Sequence, residues 1–211
     1  MLKHYDSIFF ADIKAQQPEP WDIAGATHIR VEMQNRGFYL ADRTLGVSID
    51  LAKLPDNLEK YIRLQILETR DYKEDILRIA TASFVYDRRF HIAPDLSKDV
   101  AAKVLREWVH DLDETLICLY KEQVIGFFSL RKTAKDVLFV HLAAVDEKYR
   151  LAGAVMALYA KACLLAKERG YKKIEGRISS QNIAVMNIYT HFKATFSEPK
   201  DVYLKEVKND A

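Results

Sequence analysis

Apolar and polar positions change rhythm along the chain, and the rhythm sets the expected elements. The run from Gly37 to Ile49 alternates and reads as a strand or hairpin. Leu54 to Asn57 is a turn, and Tyr61 to Thr69 is a second extended stretch. From Glu74 the period lengthens: Ile76, Leu77, Ile79, Ala80 and Phe84 recur at helical spacing. A polar loop, Tyr86 to Leu96, precedes Ser97, an N-cap candidate for a helix with Val100, Ala101, Val104, Leu105, Trp108, Val109 and Leu112 on one face. Three strands follow, Leu116 to Tyr120, Val124 to Leu130 and Val137 to Val145, with turns at Glu122-Gln123 and at Thr133 to Asp136. A long helix carries Val155, Leu158, Tyr159, Ala162, Leu165 and Ala166 on its stripe and stops at Gly170, where a left-handed residue suits a C-terminus. A strand from Lys172 to Ile178, a helix from Asn182 to Phe192 and two closing strands, Ala194 to Phe196 and Val202 to Val207, complete the pattern.

This order predicts an α/β (α+β) fold, a mixed and mostly antiparallel central sheet flanked by helices. The change of rhythm between Thr69 and Lys73 divides the chain into a small N-terminal α/β segment, 1–70, and a main domain, 71–211. Gln16 to Trp21, with Pro18 and Pro20, is a local break within the first part. No repeat or low-complexity tract is visible.

Composition narrows the function. Of 211 residues, 49% are hydrophobic and 29% charged, an ordinary globular balance. The 32 basic and 30 acidic side chains nearly cancel, which leaves no field to gather nucleic acid or an anionic membrane. Met1-Leu2-Lys3-His4-Tyr5-Asp6 lacks the apolar run of a signal peptide, and no stretch reaches the length of a membrane span. Cys118 and Cys163 have no nearby partner cysteine and read as free buried thiols. Together these point to a cytoplasmic protein without a disulfide or metal framework.

Chemistry concentrates where the third of those strands meets the long helix. An apolar strand ends at Leu142-Ala143-Ala144-Val145, a polar turn follows, and Arg150, Ala152, Gly153, Ala154 and Val155 lead into the helix. A helix N-terminus with small residues and an arginine can hold a pyrophosphate. A plain strand-to-helix turn with a solvated arginine explains the same spacing. Tyr189 is either a core residue beside Ile183, Met186 and Phe192 or a proton donor. His141, on the strand entering the turn, is either a sheet histidine or a proton acceptor. Arg88, Arg89, Phe90, His91 and Asp95 combine charge with aromatic faces, in a loop that is either solvated or a phosphate-bearing acceptor site.

Two of these stretches resemble the GNAT (Gcn5-related N-acetyltransferase) superfamily. Arg150-x-x-Gly153 after Leu142-Ala-Ala-Val145 is similar to its acyl-CoA motif, Gln/Arg-x-x-Gly-x-Gly/Ala, with Val155 in the last position. Asn182-Ile-Ala-Val-Met-Asn187-Ile-Tyr189 resembles its Asn…Tyr helix, with Phe192-Lys193 where Gly-Phe is usual. The resemblance implies acyl-CoA (acetyl-CoA or a short hydroxyacyl-CoA such as 3-hydroxybutyryl-CoA) as co-substrate and no metal. It implies coenzyme contacts from Leu142, Ala143, Val145, Arg150, Ala152, Gly153, Ala154, Val155, Asn182, Asn187 and Tyr189. Tyr189 would be the proton donor to sulfur and His141 a proton relay. Arg89-Phe90-His91, Asp95 and Glu107-Trp108, with Gly37-Phe38 and Asp42-Arg43-Thr44, look like dTDP-fucosamine acetyltransferases. The acceptor implied is then the amine of a dTDP-linked amino-dideoxy sugar, in surface-polysaccharide (O-antigen or lipopolysaccharide) synthesis. An N-acetyltransferase for protein or peptide amines and a non-catalytic acyl-CoA-binding protein are the other readings, and a homodimer is compatible with all three.

Overall fold

The computed structural model describes residues 2–5, 8–12, 38–84, 98–112 and 115–206. Its strands are β1 (Leu2–Tyr5), β2 (Ile8–Asp12), β3 (Tyr39–Asp50), β4 (Gln65–Thr69), β5 (Thr115–Tyr120), β6 (Gln123–Ala134), β7 (Val137–Val145), β8 (Lys173–Ser179) and β9 (Thr195–Glu206). The α-helices are α1 (Lys73–Ser83), α2 (Lys98–His110), α3 (Ala154–Glu168) and α4 (Ile183–His191). Among the described residues the strands form one sheet in the order β1-β2-β9-β3-β8-β7-β6-β5-β4. Every pairing is antiparallel except that of β7 with β8. The expected mixed α/β architecture is therefore present.

The two faces of the sheet bury different helices. Leu116, Phe128, Leu138 and Val145 pack with Leu158, Tyr159, Ala162 and Ala166 of α3, with Tyr189 of α4 and with Phe192 just beyond it. Ile117, Val124, Phe127 and Leu142 pack on the other face with Ile76, Ile79 and Ala80 of α1 and Val109 of α2. Neighbouring residues such as Leu116 and Ile117 serve opposite cores, as strand alternation requires. Both faces are covered, so β5 reads almost continuously apolar rather than alternating, and Leu116 to Leu119 are all buried. The helix end at Gly170 has the expected left-handed conformation, with φ 79°.

Four features differ from the sequence expectation. The two closing strands are one strand, β9, whose register with β3 jumps between Ser197 and Lys200. Pro199 has no N–H to donate and Glu198 sits at φ 46°, so the ladder passes them in a bulge instead of ending. The extended stretch expected from Tyr61 begins only at Gln65, because Leu58–Tyr61 forms a 3-10 turn that buries Leu58. The short β1 and β2 carry no resolvable period and were not foreseen. Finally, β3 comes from the N-terminal segment yet lies between β8 and β9, so the sheet runs across the boundary placed near residue 70.

Candidate active site

The parallel pair β7–β8 ladders only from Val137 to Phe139 and from Lys173 to Glu175. Both strands continue, to Val145 and Ser179, without pairing further. They diverge as a fork, and no strand among the described residues fills the gap between their peptide edges. The register of β7 against β6 also skips His141, since Ser129 pairs with Leu142 and Leu130 with Val140. That bulge turns the strand just after its last contact with β8. Val140 belongs to the α3 side of the sheet and Leu142 to the α1–α2 side. Bulges of this kind re-aim side chains beside functional gaps.

Tyr189 reaches the crotch of this fork. A β-carbon placed on Gly176, the first β8 residue beyond the ladder, would stand 3.0 Å from the Tyr189 hydroxyl. The same carbon would lie 3.3 Å from Val47 Cγ2 and 3.5 Å from Val140 Cβ. Glycine here therefore makes room for a phenol, and β3 supplies the wall behind it. Tyr189 is 1% exposed, and burial raises its pKa to about 12, partly offset by the neighbouring Tyr159 side chain. At neutral pH the phenol keeps its proton and can give it away.

At the mouth of the gap, β7 ends at Val145. Asp146 accepts a hydrogen bond from Lys148 N at 3.1 Å and caps a 3-10 turn, Glu147–Ala152. Arg78 of α1 holds the Asp146 carboxylate at 3.1 Å and also donates to Val124 O at 3.0 Å. The loop is thus tied to both β6 and α1. Gly153 then turns left-handed, at φ 77°, and α3 begins. The first bond of that helix runs from Ala157 N to Gly153 O, leaving the amides of Ala154, Val155 and Met156 without helical acceptors. No side chain caps this terminus and no acidic residue occupies its first turn. Its positive end is therefore open to an anion.

The residues expected from the sequence fall as follows. Leu142 and Val145 are buried, and Ala143 packs against the α3-side core. Arg150 and Ala152 are exposed on the 3-10 turn, Gly153 faces open space, Ala154 is buried and Val155 is half-buried. Arg150 lies 3.8 Å from Glu147, a loose pair that leaves its guanidinium exposed. Asn182 caps α4 by accepting from Val185 N at 3.2 Å, and Asn187 is exposed on that helix. Arg88, Arg89, Phe90, His91 and Asp95 lie outside the described residues. Cys118 and Cys163 are free and buried, and burial pushes their thiols up to about 11 and about 12. Among the described residues no cluster of metal-ligating side chains occurs, and no helix is long and apolar enough to cross a membrane.

Sequence reasoning missed three contributors. Gly176 and Val47 shape the tyrosine's corner, and the Tyr159 ring meets Tyr189 edge-on at 5.3 Å. The opposite face of β8 and β3 is also more polar than expected. Ser179 Oγ donates to the buried Asp42 at 2.8 Å, and Arg177 donates to Thr44 Oγ1 at 3.1 Å and Glu198 O at 3.0 Å. A cavity of about 330 Å3, lined in part by Leu130, Leu138, Leu165 and Tyr171, lies at the far end of β7 and does not reach the gap.

A forked parallel pair, a buried phenol at the fork and an anion-ready helix at its mouth suit an acyltransferase that draws on a thioester with a long phosphorylated arm. The acetyltransferase (GNAT) family model matches residues 74–193, more than half of the sequence, and the chain belongs to that family. It is an N-acetyltransferase-type enzyme, and the co-substrate of that class is an acyl-CoA.

Similar solved structures share the fold at low identity. A conserved protein of unknown function from Staphylococcus epidermidis ATCC 12228 superposes with a TM-score of 0.67 at 15% identity, over 96% of this chain and 73% of that one. A GCN5-related N-acetyltransferase from Sphaerobacter thermophilus gives 0.59 at 13% identity, over 97% of this chain and 61% of that one. A GNAT-family acetyltransferase from Novosphingobium aromaticivorans gives 0.58 at 11% identity, over 95% and 74%. No curated protein matches the sequence.

The helix terminus makes one direct prediction. Gly153→Val imposes a left-handed conformation on a branched residue, at a cost of roughly 1–2 kcal/mol. It also sets a side chain where the glycine now meets nothing within 4 Å. Acyl-CoA affinity measured by calorimetry should fall at least about tenfold while the far-UV dichroism is kept. Unchanged affinity would remove this loop from the site.

Proposed function

We propose that the chain moves an acyl group from acyl-CoA to an amine, with the acyl-CoA arm lying in the β7–β8 gap. The observation that carries this reading is the Tyr189 hydroxyl at the fork, held against Gly176. The amides of Ala154 and Val155, with Arg150 beside them, are suited to the pyrophosphate, and the β7 edge from Leu142 to Val145 to the pantetheine amides. The thioester supplies an activated carbonyl. The acceptor nitrogen adds to that carbonyl, and the C–S bond then breaks. Tyr189 gives its proton to the departing sulfur, and the phenolate recovers one from solvent. The extra proton on nitrogen passes to water or to His141, whose bulge lies beside the gap. A paired measurement tests this reading: acyl-CoA binding, and release of free thiol that depends on an amine. Binding without thiol release for any amine would favour the non-catalytic alternative.

The acceptor proposed is the amine of a dTDP-linked amino-dideoxy sugar, in surface-polysaccharide synthesis. Its support is the sequence of the loop with Arg88, Arg89, Phe90, His91 and Asp95, together with the polar face around Arg177 and Ser179. An arginine facing a diphosphate makes charge-assisted hydrogen bonds worth about 1.5–3 kcal/mol. Arg88→Ala or Arg89→Ala should therefore raise the acceptor KM about tenfold or more and leave the acyl-CoA KM alone. Two silent variants, in kinetics with a dTDP-amino sugar as the varied substrate, would put a protein or peptide amine ahead.

A further inference from the structure

The acceptor reaches the fork from one face of the sheet. Ile174 and Gly176 of β8 face the α3–α4 core, where Tyr189 is sealed at 1% exposure. The amine therefore arrives on the opposite face. There α1 and α2 cover residues of β5, β6 and the end of β7, and among the described residues none from β8 or β3 joins that core. Strand alternation puts Arg177, the residue after Gly176, on this entry face, beside Gly46 of β3.

The Arg177 guanidinium is laid across β3 and fixed at one end. Its Nη1 donates to Thr44 Oγ1 at 3.1 Å and to Glu198 O at 3.0 Å, and Thr44 is itself buried. A β-carbon on Gly46 would stand 3.4 Å from Nη2, so the glycine leaves the group room over the strand. Nη2 meets the Glu198 carboxylate at 3.4 Å, a long contact for a charged pair. The Arg177 side chain is 22% exposed and that of Glu198 68%, so the cation is built in and the anion is not. Glu198 reaches this place because β9 bulges there, with Glu198 at φ 46° before Pro199. A well-seated arginine with a loose, solvated carboxylate at its outer end is a place where another carboxylate or a phosphate fits in exchange.

We propose that Arg177 selects the acceptor: it anchors a carboxylate or phosphate of the amine substrate, and Glu198 holds that position until the substrate displaces it. The inference deepens the acyl-transfer reading and rests on it. Neighbouring strands lie about 4.8 Å apart, and the guanidinium sits over β3, one strand beyond β8 from the gap. The anionic group is therefore roughly 5–10 Å from the nitrogen that is acylated. An amine without such a group falls outside the class.

Two pairs of probe amines test this, each matched except for charge: ε-aminocaproate with ε-aminocaproamide, and phosphoethanolamine with ethanolamine. They separate a carboxylate anchor from a phosphate one. Binding is read by calorimetry on CoA-saturated protein, and turnover as thiol release from acetyl-CoA. The anionic member of at least one pair should bind about tenfold or more tighter than its neutral counterpart. Arg177→Met should erase that preference and leave the acyl-CoA KM near the wild-type value. Glu198→Gln changes an exposed side chain and keeps the fold. It should tighten binding of the same anion severalfold, which a purely structural contact between Arg177 and Glu198 would not do. No preference in either pair, a preference that survives Arg177→Met, or unchanged affinity in Glu198→Gln overturns the proposal. Binding with the expected preference but no thiol release for any amine would instead sink the parent reading, so the two failures are distinguishable.

Discussion

Tyr189→Phe is expected to lower kcat by about 10²–10⁴-fold, the usual range for loss of a general acid, with little change in acyl-CoA KM. The split follows from timing: the proton matters only once negative charge gathers on sulfur, so its loss is felt in the transition state and not in binding. Burial explains why the residue suits the task. With its pKa near 12 the phenol stays protonated across the working pH range and so has a proton to give as charge gathers on sulfur. The variant should fold, since the ring keeps its contacts with Tyr159 and the core. Steady-state kinetics beside a melting curve decide it, and a variant with wild-type turnover returns Tyr189 to a packing role.

Gly176→Ala should be nearly as damaging, by displacing the phenol instead of removing it. The new methyl would lie 3.0 Å from the Tyr189 hydroxyl and 3.3 Å from Val47 Cγ2, so it meets opposition on two sides. Overpacking of this kind costs about 1–3 kcal/mol of stability. A shift of the hydroxyl by about 1 Å is enough for a loss near 10²-fold in kcat. Val47→Ala in the same chain opens the wall on the β3 side and should restore part of the lost turnover. If Gly176→Ala retains full activity, the hydroxyl does not work from the position it occupies here.

Much of the second half of the chain was legible because its elements obey short-range rules. The stripe from Val155 to Ala166, the stop at Gly170 and the helix around Tyr189 follow from periodicity and capping, and the family motif lies on them. The site's decisive geometry was not legible. Nothing in the string Lys-Ile-Glu-Gly-Arg announces that Gly176 faces a tyrosine hydroxyl, because the contact joins a strand to a helix that follows it. The stripe position of Tyr159 identified it as a core residue, which it is, but gave no sign that its ring meets Tyr189 edge-on. The strand read at Gly37 to Ile49 was legible as a strand, whereas its place between β8 and β9 depends on pairing across most of the chain.

That place has a consequence for how the protein is made. Residues Thr44 to Asp50 ladder with Lys173 to Ser179, and more than 120 residues separate Asp50 from Lys173. A ribosome adds about 5–20 residues per second, so β3 emerges and waits roughly 6–25 s before β8 exists to receive it. Through that interval Val47 and Ile49, both buried in the finished sheet, stand on an unclaimed strand edge. The strands from β4 to β7 and helices α1 and α2 can assemble locally in the meantime, but β8 and β9 have no ladder with each other and meet only through β3. The wall behind the tyrosine is thus made well before the strands that hold it, and β3 takes its final place only once β8 and β9 exist to flank it.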